Sequence, residues 1–183
     1  VSFFENVMGI HKKYSCCLFE NGDETLDDAE DAMLKLTCER ANLSDGQDIL
    51  ELGCGWGSLT LYMAKKYPNT TITAVSNAQS QRQYIEQRLV DENLTNVNVI
   101  TENVATLTRS ETYDRIISIE MMEHMRNYDV LFKTLSGWLK SDGNLFIHIF
   151  GHRNKPYTFD DETSWMARHF FSGGQMPSKQ LFS

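Results

Sequence analysis

The sequence predicts an α/β domain, an open parallel sheet with helices on both of its faces. Three observations predict it. Short β-branched or apolar runs alternate with helical periods from Asp48 to Phe150, the pattern of strands joined by crossover helices. One run, Arg115-Ile116-Ile117-Ser118-Ile119, is apolar almost throughout, as a strand covered on both faces must be. A glycine-rich turn, Gly53-Cys54-Gly55-Trp56-Gly57, joins the first strand to the helix after it, where free helix N–H groups meet a ligand in such sheets.

The elements follow in order. Thr25 and Asp28 supply an N-cap and an acidic first turn, both favourable at a helix start. Leu26, Ala29, Met33 and Leu36 then recur at helical spacing to about Arg40. Ser44-Asp45-Gly46 turns the chain into a first strand, Asp48-Ile49-Leu50-Glu51-Leu52. Residues 58–66 read as a helix that Pro68-Asn69 breaks. Thr71-Ile72-Thr73-Ala74-Val75 is a β-branched second strand, residues 78–93 a helix, and Val97-Asn98-Val99-Ile100 a third strand. The apolar run 115–119 is the fourth strand, followed by a helix over 128–139. Asp142-Gly143-Asn144 reads as a turn leading into a fifth strand over 145–150. Residues 152–183 show no clear strand, and 162–171 read as a helix. An insertion after the fifth strand sits at the carboxyl ends of the strands, where ligands bind in open sheets, so it is expected to serve as a lid or substrate-pocket element.

Composition bounds the function. With 183 residues, 41% hydrophobic and 23% charged, the chain is sized for one globular domain with room for a small appendage. It holds no apolar run near the roughly 20 residues that span a bilayer. The start, Val1-Ser2-Phe3-Phe4-Glu5, has neither the form of a signal peptide nor an initiating Met, so upstream sequence is expected to be missing. The net charge of −8 and the lack of a Lys/Arg cluster argue against nucleic acid, and mildly favour a cationic small substrate. Cys16, Cys17, Cys38 and Cys54 form no CxxC pair, which reads as reduced thiols in a cytoplasmic protein. His148 and His152 are four apart with no third ligand at usual spacing, so no metal is expected. A homodimer stays open.

The glycine turn discriminates between nucleotide-type cofactors. Dinucleotide binders show GxGxxG and an acid at the end of the second strand. Here the third glycine falls at Gly57, the dinucleotide position is Ser58, and the second strand ends Val75-Ser76-Asn77 without a carboxylate. Glu51, two residues before Gly53, is placed to meet an ammonium group, which the methionine end of S-adenosylmethionine has and NAD lacks.

These residues resemble a known family, the one joining cyclopropane fatty acid synthases, mycolic acid methyltransferases and plant coclaurine-type N-methyltransferases. The likeness rests on Tyr14-Ser15-Cys16, the run from Leu50 to Gly57, the segment from Ser76 to Gln81, Tyr113-Asp114-Arg115-Ile116 and Glu123-His124-Met125. The runs 120–128 and 170–178 resemble the N-methyltransferase branch more than the lipid branch. The resemblance implies a Rossmann-like class I methyltransferase core over 25–151, a cofactor-covering segment over 1–24 and the start of a substrate-side insertion over 152–183. It implies S-adenosylmethionine as cofactor and S-adenosylhomocysteine (SAH) as product. Tyr14 and Ser15 would then cover the methionine end, and Glu51, Gly53, Cys54, Gly55 and Gly57 would hold its carboxylate and ammonium. Ser76, Asn77 and Gln81 would address the ribose, and Asn103 and Val104 would flank the adenine, Asn103 standing where many relatives carry Asp. Relatives of this kind continue into two further strands, so the chain is expected to be truncated after the fifth.

Glu120, Glu123 and His124 follow the fourth strand directly, near where a sulfonium methyl would sit. An alkylammonium, with a pKa of about 10, must lose its proton before it can attack. The expectation is His124 as base, Glu123 as its partner and Glu120 as holder of the substrate ammonium. The alternatives are that Glu123 and His124 merely cap or pair on the surface, or that the chain is a non-catalytic cofactor-binding module. Methyl transfer to unsaturated lipid, with a bound bicarbonate at Cys16, Glu123 and His148, is the other chemistry that the family implies. Trp138, Phe132 and Cys54 are expected to pack, Trp56 to pack on the helix or to edge the cofactor, and Trp165 and Met166 either to pack or to line an aromatic pocket.

Overall fold

The structure, a computed structural model, describes residues 6–160, 165–169, 171 and 173–181. Helix α1 (Leu26–Arg40) opens on the expected cap. The Asp28 N–H donates to the Thr25 hydroxyl oxygen and the Thr25 N–H to the Asp28 carboxylate, a reciprocal box that satisfies two helix-end donors. There follow β1 (Asp48–Leu52), α2 (Ser58–Lys66), β2 (Thr71–Ser76), α3 (Gln79–Asp91), β3 (Val97–Thr101) and β4 (Tyr113–Ile119). A 3₁₀ turn (Met122–His124), α4 (Tyr128–Gly137) and β5 (Leu139–His148) complete the core.

The five strands form one parallel sheet in the order β3-β2-β1-β4-β5. Strands β1 to β3 step outward in one direction, and β4 returns to the other side of β1. The strand order therefore reverses between β1 and β4, and the crevice beyond the carboxyl ends at such a reversal is where these sheets take ligands. Register aligns the two tips, with Leu52 opposite both Val75 and Ser118.

Alternation along β1 feeds two cores. Ile49 packs with Leu34 and Cys38 of α1 and Leu59 and Met63 of α2. Leu50 and Leu52 point to the other face, with Leu131 and Leu135 of α4 and Trp138 just beyond it. Ile85 and Leu89 of α3 close the first face over Ala74 and Val99. Each large aliphatic side chain so buried contributes about 1.5–3 kcal/mol. At the amino ends of the strands, Lys140 donates to both Asp48 and Asp114, each at 2.8 Å, which ties β1, β4 and β5 together.

Two expectations need correction. The fifth strand starts earlier than the Asp142-Gly143-Asn144 turn allows, because Leu139 already pairs with Tyr113. The ladder then jumps, so that Arg115 pairs with Asn144, and the expected turn is a bulge inside β5. Residues after 151 do contain strand: β6 (Tyr157–Thr158) and β7 (Gln175–Met176) form a two-stranded antiparallel pair. Of the helix expected over 162–171, residues 162–164 and 170 lie outside the described residues, and the described part is the short α5 (Trp165–His169). Residues 1–5 of the expected covering segment likewise lie outside them. Among the described residues no helix is long and apolar enough to cross a membrane.

Candidate active site

The site begins at the tip of β1. Gly53 and Cys54 both donate their N–H groups to the Val75 carbonyl, at 3.0 and 2.9 Å, which folds the loop back against β2. Gly55 has φ +54, and a Cβ there would lie 2.8 Å from the Tyr14 hydroxyl. The left-handed backbone there suits glycine, and the missing Cβ lets the Tyr14 ring lie against the loop. That segment is held from below by Glu30 of α1, whose carboxylate accepts from the N–H groups of Gly9, His11 and Lys13 at 3.0, 2.9 and 3.3 Å.

Glu51 points to the α1–α2 side and is only 3% exposed. It accepts a hydrogen bond from the Thr60 hydroxyl. Burial pushes its carboxyl up to about 7, with the Thr60 bond offsetting part of the rise. A small cavity of about 70 Å³ lies over it, walled by Tyr14, Ser15, Cys54 and Ser58 together with Lys13 and Glu120. Tyr14, Gly53, Gly55 and Glu120 are shared with a second cavity of about 420 Å³. The second cavity runs past Ser76, Asn77, Gln81, Asn103 and Val104 to Met121 and His124.

Most expected cofactor residues therefore wall one of two adjoining spaces. Gly57 is the exception, since it serves as the left-handed N-cap of α2 at φ +81 and lines neither. Ser76 donates to the Gln81 side-chain oxygen at 2.6 Å and accepts from the Ala78 N–H. The Asn103 side-chain oxygen accepts from the Ala105 N–H at 2.9 Å, an Asx turn. Sequence reasoning missed Lys13 and Glu102. Lys13 is 5% exposed, and its ammonium donates to the Ser15 hydroxyl. Burial lowers its pKa, while Cys16, Glu120, Cys17 and Glu30 act in the opposite direction. Glu102 lines the larger cavity beside Asn103. A cation just before Tyr14-Ser15 and an acid at the tip of β3 were the available signals.

The acid–histidine cluster sits where β4 ends. Glu120 has φ +48 and donates its N–H to the His148 carbonyl at 2.7 Å. This left-handed residue breaks the strand and starts the turn that carries Met122–His124. Glu123 is buried, with one carboxylate oxygen accepting from the Phe150 N–H at 3.3 Å and the other without a partner among the described residues. Burial, with a contribution from Glu120, raises it to about 7. His124 faces the other way, its ring 4.9 Å from that of Phe171, and partial burial lowers its pKa. Among the described residues no hydrogen bond joins the Glu123 carboxylate to the His124 ring, because successive residues of the turn diverge. Gly174 packs its backbone on the same turn, its carbonyl accepting from Arg126 at 3.2 Å. Gln175 donates to the carbonyls of Met125 and Arg126. The insertion is thus docked on the turn that bears Glu123 and His124.

The fold also brings together what spacing kept apart. His148 had no third ligand in sequence, yet Cys16, Glu120 and His148 hold their ligand atoms within 4.8 Å of one another. Trp56 meets Tyr84 of α3 edge-on at 5.5 Å, which is the packing alternative. Trp165 is 61% exposed with its ring against His169, and it lines neither cavity. The Met166 side chain lies outside the described residues.

The profile of the mycolic acid cyclopropane synthetase family matches residues 1–183. The chain belongs to that family. Within the mycolic acid cyclopropane synthetase family it is 42% identical over 186 residues to an (S)-coclaurine N-methyltransferase of Thalictrum flavum subsp. glaucum, covering 100% of this chain and 52% of that one. It is 30% identical over 177 residues to the cyclopropane-fatty-acyl-phospholipid synthase of Escherichia coli strain K12, covering 96% and 44%. A crystal structure of coclaurine N-methyltransferase bound to N-methylheliamine and SAH superposes with a TM-score of 0.93 at 43% identity, over 99% of this chain and 55% of that one. The chain spans about half the length of the curated relatives it matches. The parallel sheet and its flanking helices are those of a class I methyltransferase.

Proposed function

We propose that this chain is the S-adenosylmethionine-binding half of an N-methyltransferase that acts on a small alkaloid-like amine. The observation that carries the reading is the placement of Glu120 and His124 on the wall of the larger cavity, with Glu123 buried in the turn between them. Identity to the amine branch, 42% against 30% for the lipid synthase, points the same way.

The chain's own residues fit the cofactor. A carboxyl held near 7 by burial, as Glu51 is, is stabilised as the anion by an ammonium group placed beside it. The glycine turn leaves the β1 tip open to a bulky ligand. Gly53, Cys54, Gly55, Tyr14 and Ser15 would enclose the methionine end, Ser76, Asn77 and Gln81 would hold the ribose, and Asn103 and Val104 would flank the base. The Asn103 oxygen is already engaged by the Ala105 N–H, so its amide is fixed in direction. Residues 1–24 would cover this core, 25–151 form it, and 152–183 begin the substrate-side lid.

When bound, the cofactor supplies an electrophilic sulfonium methyl. Glu120 provides negative charge where an ammonium substrate would enter. His124, whose pKa partial burial lowers, takes the amine proton on a ring nitrogen and frees the lone pair for in-line attack. Glu123, buried in the same turn and accepting from the Phe150 N–H, would fix the turn that presents His124 to the substrate. An alkene has no charge for Glu120 to meet, which is why the lipid chemistry is the weaker reading.

The test is methyl transfer by the full-length protein from labelled cofactor to aromatic amines, aliphatic amines and unsaturated phospholipids. Amines are expected to be labelled. Glu123→Ala and His124→Ala are expected to retain SAH binding and lose about 10²–10⁴-fold in kcat. Labelling of phospholipid alone, or no turnover in the parent protein, would overturn the proposal.

A further inference from the structure

Beside the acid–histidine turn lies a set of side chains for which the proposed amine chemistry has only a partial use. We propose that Cys16, Glu120 and His148 form a reversible binding site for a borderline-soft divalent cation of the zinc type. The three come from remote parts of the chain, and the fold holds them together in two ways. Ile119 pairs with His148 in the β4–β5 ladder, and the next residue, Glu120, donates its N–H to the His148 carbonyl at 2.7 Å. The N-terminal segment carrying Cys16 is pinned on either side, by Glu30 at Lys13 and by the Ala29 carbonyl at the Leu18 N–H.

The distances suit a cation of this class. Cys16 Sγ lies 3.5 Å from His148 Nε2. With bonds of about 2.3 Å to sulfur and 2.0–2.1 Å to nitrogen, two corners of a tetrahedral zinc site are about 3.5 Å apart. All three ligand atoms fall within 4.8 Å of one another, so a change of about 1 Å in the Glu120 side chain completes a three-ligand face. Thiolate, imidazole and carboxylate together favour zinc or cobalt(II) over magnesium or calcium, which take oxygen ligands. Cys16 is exposed and the other two are half-buried, so solvent reaches the cation and supplies the fourth ligand. The ammonium of Lys13, close enough to act on both Cys16 and Glu120, opposes the cation and keeps the site reversible.

The site shares Glu120 with the cavity, so a bound cation removes the negative charge offered to a substrate ammonium; this consequence rests on the proposed N-methyltransferase reading. Zinc is therefore expected to raise the KM for the amine.

The experiment titrates the reduced, cofactor-free full chain with cobalt(II) alone. A near-ultraviolet thiolate-to-cobalt band that saturates at one cobalt per chain and is displaced by zinc is expected. Cys16→Ser should abolish the band while SAH still shifts the melting temperature, Cys17→Ser should keep it, and His148→Gln should weaken cobalt binding at least about tenfold. Absence of the band, or a band that survives Cys16→Ser and vanishes in Cys17→Ser, would overturn the site. Cobalt binding with no change in the amine KM would overturn its link to Glu120. Absence of amine turnover in the metal-free protein, with the cobalt band intact, would instead strike the N-methyltransferase reading.

Discussion

Glu51 and Glu123 sit in apolar surroundings that raise both carboxyls from the ordinary 4.5 to about 7. A folded-state pKa above the unfolded one means that the folded chain holds more protons between those values. The stability this contributes is fully present below 4.5 and is lost as pH rises through about 7, on the order of a few kcal/mol for the two groups together. The ligand-free protein is expected to melt at lower temperature at about pH 8 than at about pH 5. Glu51→Gln and Glu123→Gln should each flatten that slope in a thermal melt series, and an unchanged slope in both would remove burial as its cause.

At the scale of elements, the site depends on two segments that belong to neither sheet nor major helix. The N-terminal segment is held at three N–H groups by the Glu30 carboxylate, with Asp27 accepting from Ile10 and the Ala29 carbonyl from Leu18. Glu30→Ala orphans its three donors, and a loss of about 2–4 kcal/mol in chemical denaturation is expected, with weaker SAH binding as Tyr14 loses its anchorage. Glu30→Gln keeps an acceptor oxygen and should fall between. The insertion docks through Gly174, which has φ +90 and where a Cβ would stand 2.2 Å from the Glu123 carbonyl oxygen. That neighbour is backbone and cannot swing aside. Gly174→Ala is expected to cost about 1–3 kcal/mol and to lower kcat more than SAH affinity, because it displaces the turn bearing Glu123 and His124 rather than the β1 tip.

At the scale of the whole molecule, the reversal of strand order between β1 and β4 places every proposed contact at one end of the sheet. The opposite end is closed by the Lys140 bridge to Asp48 and Asp114. A ligand that binds only the folded sheet stabilises it in proportion to its saturation. SAH at about 100 times its Kd is expected to add about 2.7 kcal/mol and to raise Tm by about 5–10 °C. NADH should give no shift, since β2 ends without the carboxylate that holds the adenosine ribose of NAD and Ser58 stands at the third dinucleotide glycine; a shift with NADH and none with SAH would reverse the assignment of the glycine turn.

The sheet and its helices were legible in sequence because local period and composition decide them. The β-branched run at Thr71, the apolar run ending at Ile119 and the Thr25–Asp28 box each specify an element within a few residues of itself. The residues proposed for the cofactor were singled out for the same reason, since a glycine turn and the carboxylate before it lie in one short stretch. The β5 start escaped because it is set by pairing with Tyr113 across the sheet, and the β6–β7 pair because two-residue strands have no period. Tertiary structure alone turned Glu123 inward and His124 outward, since neighbours in a 3₁₀ turn share sequence but not surroundings. It alone brought Cys16 to His148 and Glu120, because contact across 132 positions of chain depends on strand order and on where an N-terminal segment is pinned.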